Sequence, residues 1–237
     1  MNRIRLVFPI LGTLLFLNFA ARAGDLVQFP TGNAAWTVET TYPTAATPSP
    51  SPEGTPGQKT PTGMKPQKIE ITQVDNLKRI LITWIDGKTS QRWTVPNLNV
   101  IFETLPRDEN VVTPIPPGCF LEQLNEFNMP YDSFGFNWIK PQYLKEKDPI
   151  SYLGKSCFHY KGAVPVPTVD PIHPTDGPAS TDWEAWIESK TLLPVAINTG
   201  TSLCIFTFQT KPPVGPLVPP AKFKKEIDYY IAVMGYR

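Results

Sequence analysis

The residues best equipped for chemistry are three carboxylates, Asp182, Glu184 and Glu188, set in the run Asp182-Trp183-Glu184-Ala185-Trp186-Ile187-Glu188. Read as a strand, this run puts Trp183, Ala185 and Ile187 on one face and Glu184, Trp186 and Glu188 on the other. Alternate strand residues project carboxylates about 7 Å apart, the arrangement a glycosidase uses when it sits in a cleft. Solvated outer positions of an antiparallel strand read identically, so no catalytic residue is assigned. Two histidines are present, His159 and His173. Cys157 and His159 share a strand face and could give two metal ligands, but the further ligands of a closed zinc site have no recognisable pattern. No metal and no cofactor is expected. The chain has no Gly-x-Ser-x-Gly elbow, no phosphate-cradling glycine loop and no dinucleotide fingerprint. These gaps disfavour an enzyme of a known motif class.

Charge narrows the partners further. Lys plus Arg number 22 against 21 Asp plus Glu, and a net charge of +1 provides no field for steering onto nucleic acid. Lys222, Lys224 and Lys225 form the compact basic run, suited to peripheral contact with anionic headgroups or simply to solvation.

Arg3 and Arg5 precede an apolar run from Leu6 to Phe19 that closes on Ala21-Arg22-Ala23. The run is shorter than the ~20 residues of a bilayer span, its flank is basic and small residues sit where a signal peptidase cuts. Residues 1–23 are therefore expected to be a cleaved signal, leaving 24–237 as one β-rich domain in the periplasm or outside the cell. Cys119, Cys157 and Cys204 then meet an oxidising compartment, where two could pair and one is left over. In a meander Cys157 and Cys204 lie several strands apart, which favours Cys119 with Cys157; the alternative is three buried small hydrophobes.

The elements that must position these groups are mostly strands. Ala34 to Tyr42 alternates and is rich in β-branched and aromatic types. Pro43 to Pro66 is built from Pro, Thr, Ser, Gly and Ala, with little to bury, and reads as a disordered loop. Four runs follow with short turns between them: Gln67 to Val74, Leu77 to Ile85, Ser90 to Val95 and Leu98 to Leu105. Asp75-Asn76, Asp86-Gly87 and Pro96-Asn97 supply the turns of an antiparallel meander. From Pro106 to Gly154 the periodicity fails, apart from a short helical pattern at Phe120 to Phe127. A second meander comprises Lys155 to Lys161, a proline-rich loop from Gly162 to Thr181, then Trp183 to Glu188, Leu193 to Asn198 and Ser202 to Thr210. Phe223, Ile227, Ile231 and Met234 recur at helical spacing after Pro219-Pro220, favouring a short helix, although Tyr229, Tyr230, Ile231 and Val233 also suit a strand. The expected fold is mainly β: a curved antiparallel, half-barrel-like meander with one or two short helices and long proline-rich loops. The two meanders raise the possibility of one continuous sheet.

Phe134, Phe136, Trp138, Ile139 and Tyr143 form a hydrophobic cap over that sheet, with core packing as the default role. Trp138, Phe134 and Phe136 from the cap, with Trp186 between its carboxylates, are the candidate ligand-binding residues.

Three stretches carry a family likeness: Tyr152-Leu153-Gly154-Lys155-Ser156-Cys157-Phe158-His159-Tyr160, then Ala185-Trp186-Ile187-Glu188-Ser189-Lys190-Thr191-Leu192-Leu193-Pro194-Val195, then Cys204-Ile205-Phe206-Thr207-Phe208. Their order resembles the lipoprotein-carrier-like superfamily of exported half-barrel proteins. In that family a strand after a Gly-Arg or Gly-Lys step precedes a Trp-Ile-Asp-x-x-Thr-x-Leu-Pro hairpin. Glu188 stands where the family has Asp, no long helix plugs the sheet, and no basic cavity residue maps across. The resemblance implies a curved sheet with an apolar concave side, and hence an exported, non-enzymatic binding protein for a hydrophobic small molecule or lipid. The rival reading is a structural or interaction module contacting another envelope protein, with a carboxylate-dependent hydrolase as a third class.

Overall fold

The structure, a computed structural model, describes residues 26–43, 65–75, 77–95, 100–105, 108–115, 130–165 and 180–234. Eleven strands form one curved antiparallel sheet. The first meander contains β1 (Ala34–Thr41), β2 (Pro66–Val74), β3 (Leu77–Trp84), β4 (Thr89–Val95), β5 (Val100–Leu105) and β6 (Asp108–Ile115). The second contains β7 (Ile150–Tyr152), β8 (Lys155–Pro165), β9 (Ser180–Glu188), β10 (Pro194–Asn198) and β11 (Leu203–Phe208). β1 pairs with β11, so the strand order runs β6-β5-β4-β3-β2-β1-β11-β10-β9-β8-β7 and the two meanders become one sheet. A single described α-helix, α1 (Ala221–Met234), follows β11.

Side-chain alternation sets the two faces. Ile69 sits opposite Ile82 and Ile71 opposite Ile80, all four turned to the same side. Trp36, Val38, Trp84, Tyr160, Trp183, Ala185, Ile187, Ile197 and Phe206 join them in the main core. Two segments cover this face: residues 26–31 ahead of β1, and residues 130–144, which carry short 3-10 turns at Ser133–Phe136 and Pro141–Tyr143. The opposite face carries two smaller apolar pads. Under α1, Phe223 and Ile227 pack on Trp93, Val100 and Phe102. Toward the other edge, Cys157, Trp186, Val195 and Ala196 pack together. The middle of that face is polar, bearing Glu39, Lys68, Glu70 and Thr72 on β1 and β2.

Several strands differ from the sequence expectation at their ends. β6 lies where periodicity fails; Pro114 is tolerated because β6 is an edge strand, where a missing N–H costs the ladder nothing on its open side. β8 continues through Gly162 to Pro165 and β9 starts at Ser180, so the loop expected from Gly162 to Thr181 is shorter at both ends. Gly162 belongs in a strand because the Tyr143 ring lies against it: a Cβ there would stand 3.0 Å from two ring carbons. Residues 221–234 are helical, the apolar spacing of Phe223 and Ile227 prevailing over β propensity. The helix expected at Phe120 to Phe127, most of the loop from Pro43 to Pro66, and the signal at residues 1–23 lie outside the described residues.

Candidate ligand-binding face

The covered face is dense with aromatic rings. Trp36 on β1 and Phe206 and Phe208 on β11 meet Phe29 from the segment ahead of β1 and Phe136 from the 3-10 turn. Phe29 lies 6.0 Å from Trp36, 5.7 Å from Phe136 and 6.2 Å from Phe206 between ring centroids, all tilted or edge-on. Such geometries are the favoured ones for aromatic pairs. The Trp36 indole donates through Nε1 to the Tyr131 carbonyl at 2.9 Å, tying the covering segment to the sheet. Farther along, Trp138 meets Trp183 edge-on at 6.1 Å.

Beside this cluster a cleft of about 480 Å³ opens between the two covering segments. Val27, Phe29, Pro30 and Trp36 give it apolar walls, while Gln28, Thr31, Gln73, Lys78, Asp132 and Ser133 add polar groups. The local chain is held in place by hydrogen bonds to its backbone: Gln28 N donates to Leu192 O at 2.8 Å, and the Gln73 side chain donates through Nε2 to the carbonyls of Thr31 and Gly32 at 3.2 Å each. The size falls within the roughly 300–1,000 Å³ of small-molecule sites.

A buried ion pair lies on the same side of the sheet. Arg92 on β4 and Glu103 on β5 are register partners, with Nη2 2.8 Å from Oε1, and both are nearly sealed from solvent. Burial pushes the Tyr131 phenol well above its ordinary value, opposed in part by Arg92. Glu103 faces inward where strand alternation would otherwise demand a hydrophobe; that inward charge, matched by Arg92 across the ladder, is the signal by which the pair could have been found in the sequence.

Of the residues expected to bind ligand, Phe136 and Trp138 lie on one face of the sheet and Trp186 on the other. Phe136 is buried in the main core, and Trp138 packs partly buried against it. The backbone of Phe134 belongs to the same turn, while its side chain lies outside what the structure describes. Trp186 lies on the opposite face, 9% exposed, and forms a sandwich there. Tyr152 stacks on it at 4.2 Å and 9°, and His159 stacks on it at 5.0 Å and 3°. The alternation that placed Trp186 away from Trp183 holds, but the carboxylates beside it do not leave the indole open to solvent, because neighbouring rings on β7 and β8 close over it.

The carboxylates flanking Trp186 are engaged. Glu184 Oε1 lies 3.0 Å from Lys161 Nζ, and its Oε2 is 3.6 Å from His159 Nε2, an ion-pair distance rather than a hydrogen bond. Glu188 accepts from Thr191 Oγ1 at 2.6 Å and pairs with Lys155 at 3.5 Å. The Lys161 hydrogen bond holds the Glu184 carboxyl below its ordinary value, and the Thr191 hydroxyl does the same for Glu188. Acid–base catalysis by two carboxylates needs one of them raised. With both lowered, this pair has the character of a surface ion network.

His159 Nδ1 lies 3.3 Å from Glu146, so carboxylates rather than Cys157 approach its ring nitrogens. No cluster with metal-binding composition occurs among the described residues. Cys157 and Cys204 are buried free thiols on β8 and β11, with β9 and β10 between them, and burial raises both above the ordinary thiol value. Thr40 Oγ1 donates to Cys204 Sγ at 3.7 Å. With Cys157 a free thiol, the bond expected between it and Cys119 is not formed; Cys119 itself, like His173, lies outside the described residues.

Sequence reasoning missed the cleft itself. Its walls come from Val27, Phe29 and Pro30, which precede the first recognisable strand, and from Trp36, which reads only as an interior strand residue; the apolar Leu26-Val27-x-Phe29 run was the available signal.

No protein-family model matches the chain, and no curated protein matches it. Among solved structures it is similar to LprF from Mycobacterium bovis, at 11% identity and a TM-score of 0.34, over 81% of this chain and 90% of that one. The likeness is a weak one at the level of the fold. No helix among the described residues is long and apolar enough to cross a membrane.

Proposed function

We propose that this protein is an exported, non-enzymatic binding protein that takes a hydrophobic small molecule or a lipid into the cleft beside Phe29 and Trp36. The observation that carries the reading is the cleft itself: about 480 Å³, walled by Val27, Phe29, Pro30 and Trp36, with Lys78 and Asp132 among its polar lining groups. Apolar walls with a few polar groups suit an amphiphile, whose tail is removed from water while its head stays near the lysine. The binding role thus passes from Trp186 to the cleft, where Phe136 backs the wall residue Phe29, while Trp138 packs farther along against Tyr143 and Trp183.

The test is uptake of a fluorescent fatty acid, measured with Thr31→Trp as a cleft-filling variant. Thr31 is exposed, so the larger side chain should leave thermal stability unchanged while uptake falls at least tenfold. Intact mass measured under non-denaturing conditions should reveal a co-purified lipid in the parent and less of it in the variant. Uptake that is absent in the parent, or equal in both, would sink the reading. The rival, an envelope interaction module, draws on the close packing of Phe136 and Ile139, which leaves the rest of the covered face filled.

A further inference from the structure

The segment from Gln209 to the end of α1 presents an unusual surface. Six large hydrophobic side chains stand exposed among the described residues, and four of them, Val214, Val218, Tyr229 and Val233, fall in this one stretch. Val214 is 100% exposed. It sits in a proline-rich strap, Lys211 to Pro220, next to Gly215, whose φ of +91° is a left-handed conformation. Leu217 packs under α1 and anchors the strap, and Lys224 N then donates to Pro220 O as the helix begins. The exposed valines are therefore held outward by an anchored backbone.

The helix continues the pattern. Phe223 and Ile227 face the sheet, so the solvent side is set by what lies across from them. Lys222, Lys225, Tyr229 and Val233 recur there at intervals of three and four residues, cations in the first turns and apolar groups in the last. Residues 209–234 hold four lysines against two carboxylates, and Asp228 is already paired with Lys224. Exposed apolar groups beside lysines, with a tyrosine among them, are the composition of a surface that lies on a charged bilayer.

We propose that the strap and the outer face of α1 dock the protein on an anionic phospholipid surface, with Val214, Val218 and Val233 entering the headgroup layer and Lys211 and Lys225 meeting lipid phosphates. The choice of occupant follows from charge: a second copy of this chain would bring the same lysines against themselves, whereas an anionic bilayer complements them. The contact is independent of the cleft and of whatever that cleft holds.

Sedimentation of the full chain with vesicles of phosphatidylcholine alone, and of phosphatidylcholine mixed with phosphatidylglycerol, tests the proposal. Hydrogen exchange supplies a local reading at residues 211–218. Binding should require the anionic lipid, and exchange in the strap should slow when such vesicles are added. Lys225→Gln and Lys211→Gln should each weaken partitioning about fivefold, the worth of one lysine near an anionic surface. Val214→Ser should weaken it about tenfold without changing the denaturation curve, because that side chain touches nothing in the folded protein. Val214→Ser keeps the test valid if a substitution on α1 disturbs the helix. Equal exchange with and without anionic vesicles, or partitioning indifferent to these variants, would overturn the proposal. So would concentration-dependent dimerisation that Val214→Ser abolishes, which would assign the surface to self-association.

Discussion

Trp186→Ala should destabilise the protein by about 3 to 4 kcal/mol, as much as Trp183→Ala on the other face. The magnitude follows from burial. Both indoles are 9% exposed, and truncating a buried tryptophan costs about 3–5 kcal/mol. Area bookkeeping agrees in scale: an aromatic side chain burying about 150–250 Å² at 25 cal/mol/Å² gives an upper bound of about 4–6 kcal/mol. Part of the Trp186 value resides in the stack with Tyr152 at 4.2 Å, worth about 0.5–1.5 kcal/mol beyond area. A double-mutant cycle with Tyr152→Ala isolates that part, since the two rings are in direct contact. Urea denaturation followed by far-ultraviolet circular dichroism is the assay, because tryptophan fluorescence would change with the substitutions themselves. Fatty-acid uptake should be unaffected by Trp186→Ala under conditions where the variant stays folded, because the indole lies on the face opposite the cleft. A loss below about 1 kcal/mol, with no coupling to Tyr152, would refute the sandwich and return Trp186 to the role of an exposed binding residue.

Three further outcomes follow from particular contacts. Gly162→Ala should cost about 1–3 kcal/mol, because its Cβ would lie 3.0 Å from the Tyr143 ring; adding Tyr143→Ala should cost less than the sum of the two single changes, which denaturation of all three variants will show. Glu103→Gln should cost about 3–5 kcal/mol by removing the carboxylate that faces the buried Arg92 across the ladder, whereas Arg92→Met with Glu103→Leu should recover most of that loss; equal instability of the single and double variants would contradict the account. Glu184 and Glu188 have folded-state values below the ordinary 4.5, so they contribute stability that is present above that value and is lost as pH falls through the lowered ones. Stability measured from about pH 6 down to about pH 3 should therefore fall less steeply in a Glu184→Gln, Glu188→Gln variant than in the parent.

The sheet was legible in the sequence where local rules and burial agree. Ile69 and Ile71 alternate with Lys68, Glu70 and Thr72, Ile80 and Ile82 recur at the same period of two on the next strand, and the turns at Asp75 and at Asp86-Gly87 fix the register; Asp75 at φ 53° and Gly87 at φ 80° adopt the left-handed conformations those turns require. β6 was hidden because an edge strand is under weaker sequence constraint. One of its sides pairs with nothing, so Pro114 interrupts the pattern without breaking the ladder. The joining of β1 to β11 could be anticipated only as a possibility, since a contact across that sequence separation leaves no local trace at Trp36 or Phe208.

The site was less legible, and Trp186 shows the physical reason. Period-two alternation tells which face of a sheet a residue occupies, and it placed Trp186 correctly beside Glu184 and Glu188. Whether that face is wet depends on what lies above it. Here the answer comes from Tyr152 on a three-residue edge strand and from His159 on β8, neither of which a pattern within β9 can reveal. The cleft poses the same difficulty in reverse. Val27 and Phe29 belong to no regular element, and they become cleft walls only because a backbone bond to Leu192 and side-chain bonds from Gln73 lay their segment across the sheet. A binding reading built on strands alone therefore favours the aromatic residue with the most polar neighbours, whereas the open space lies where two irregular segments fail to meet over Trp36, Gln73 and Lys78. That is also the place where a ligand can gain burial without displacing a packed side chain, which makes the cleft a better host for an apolar molecule than the filled core beside it.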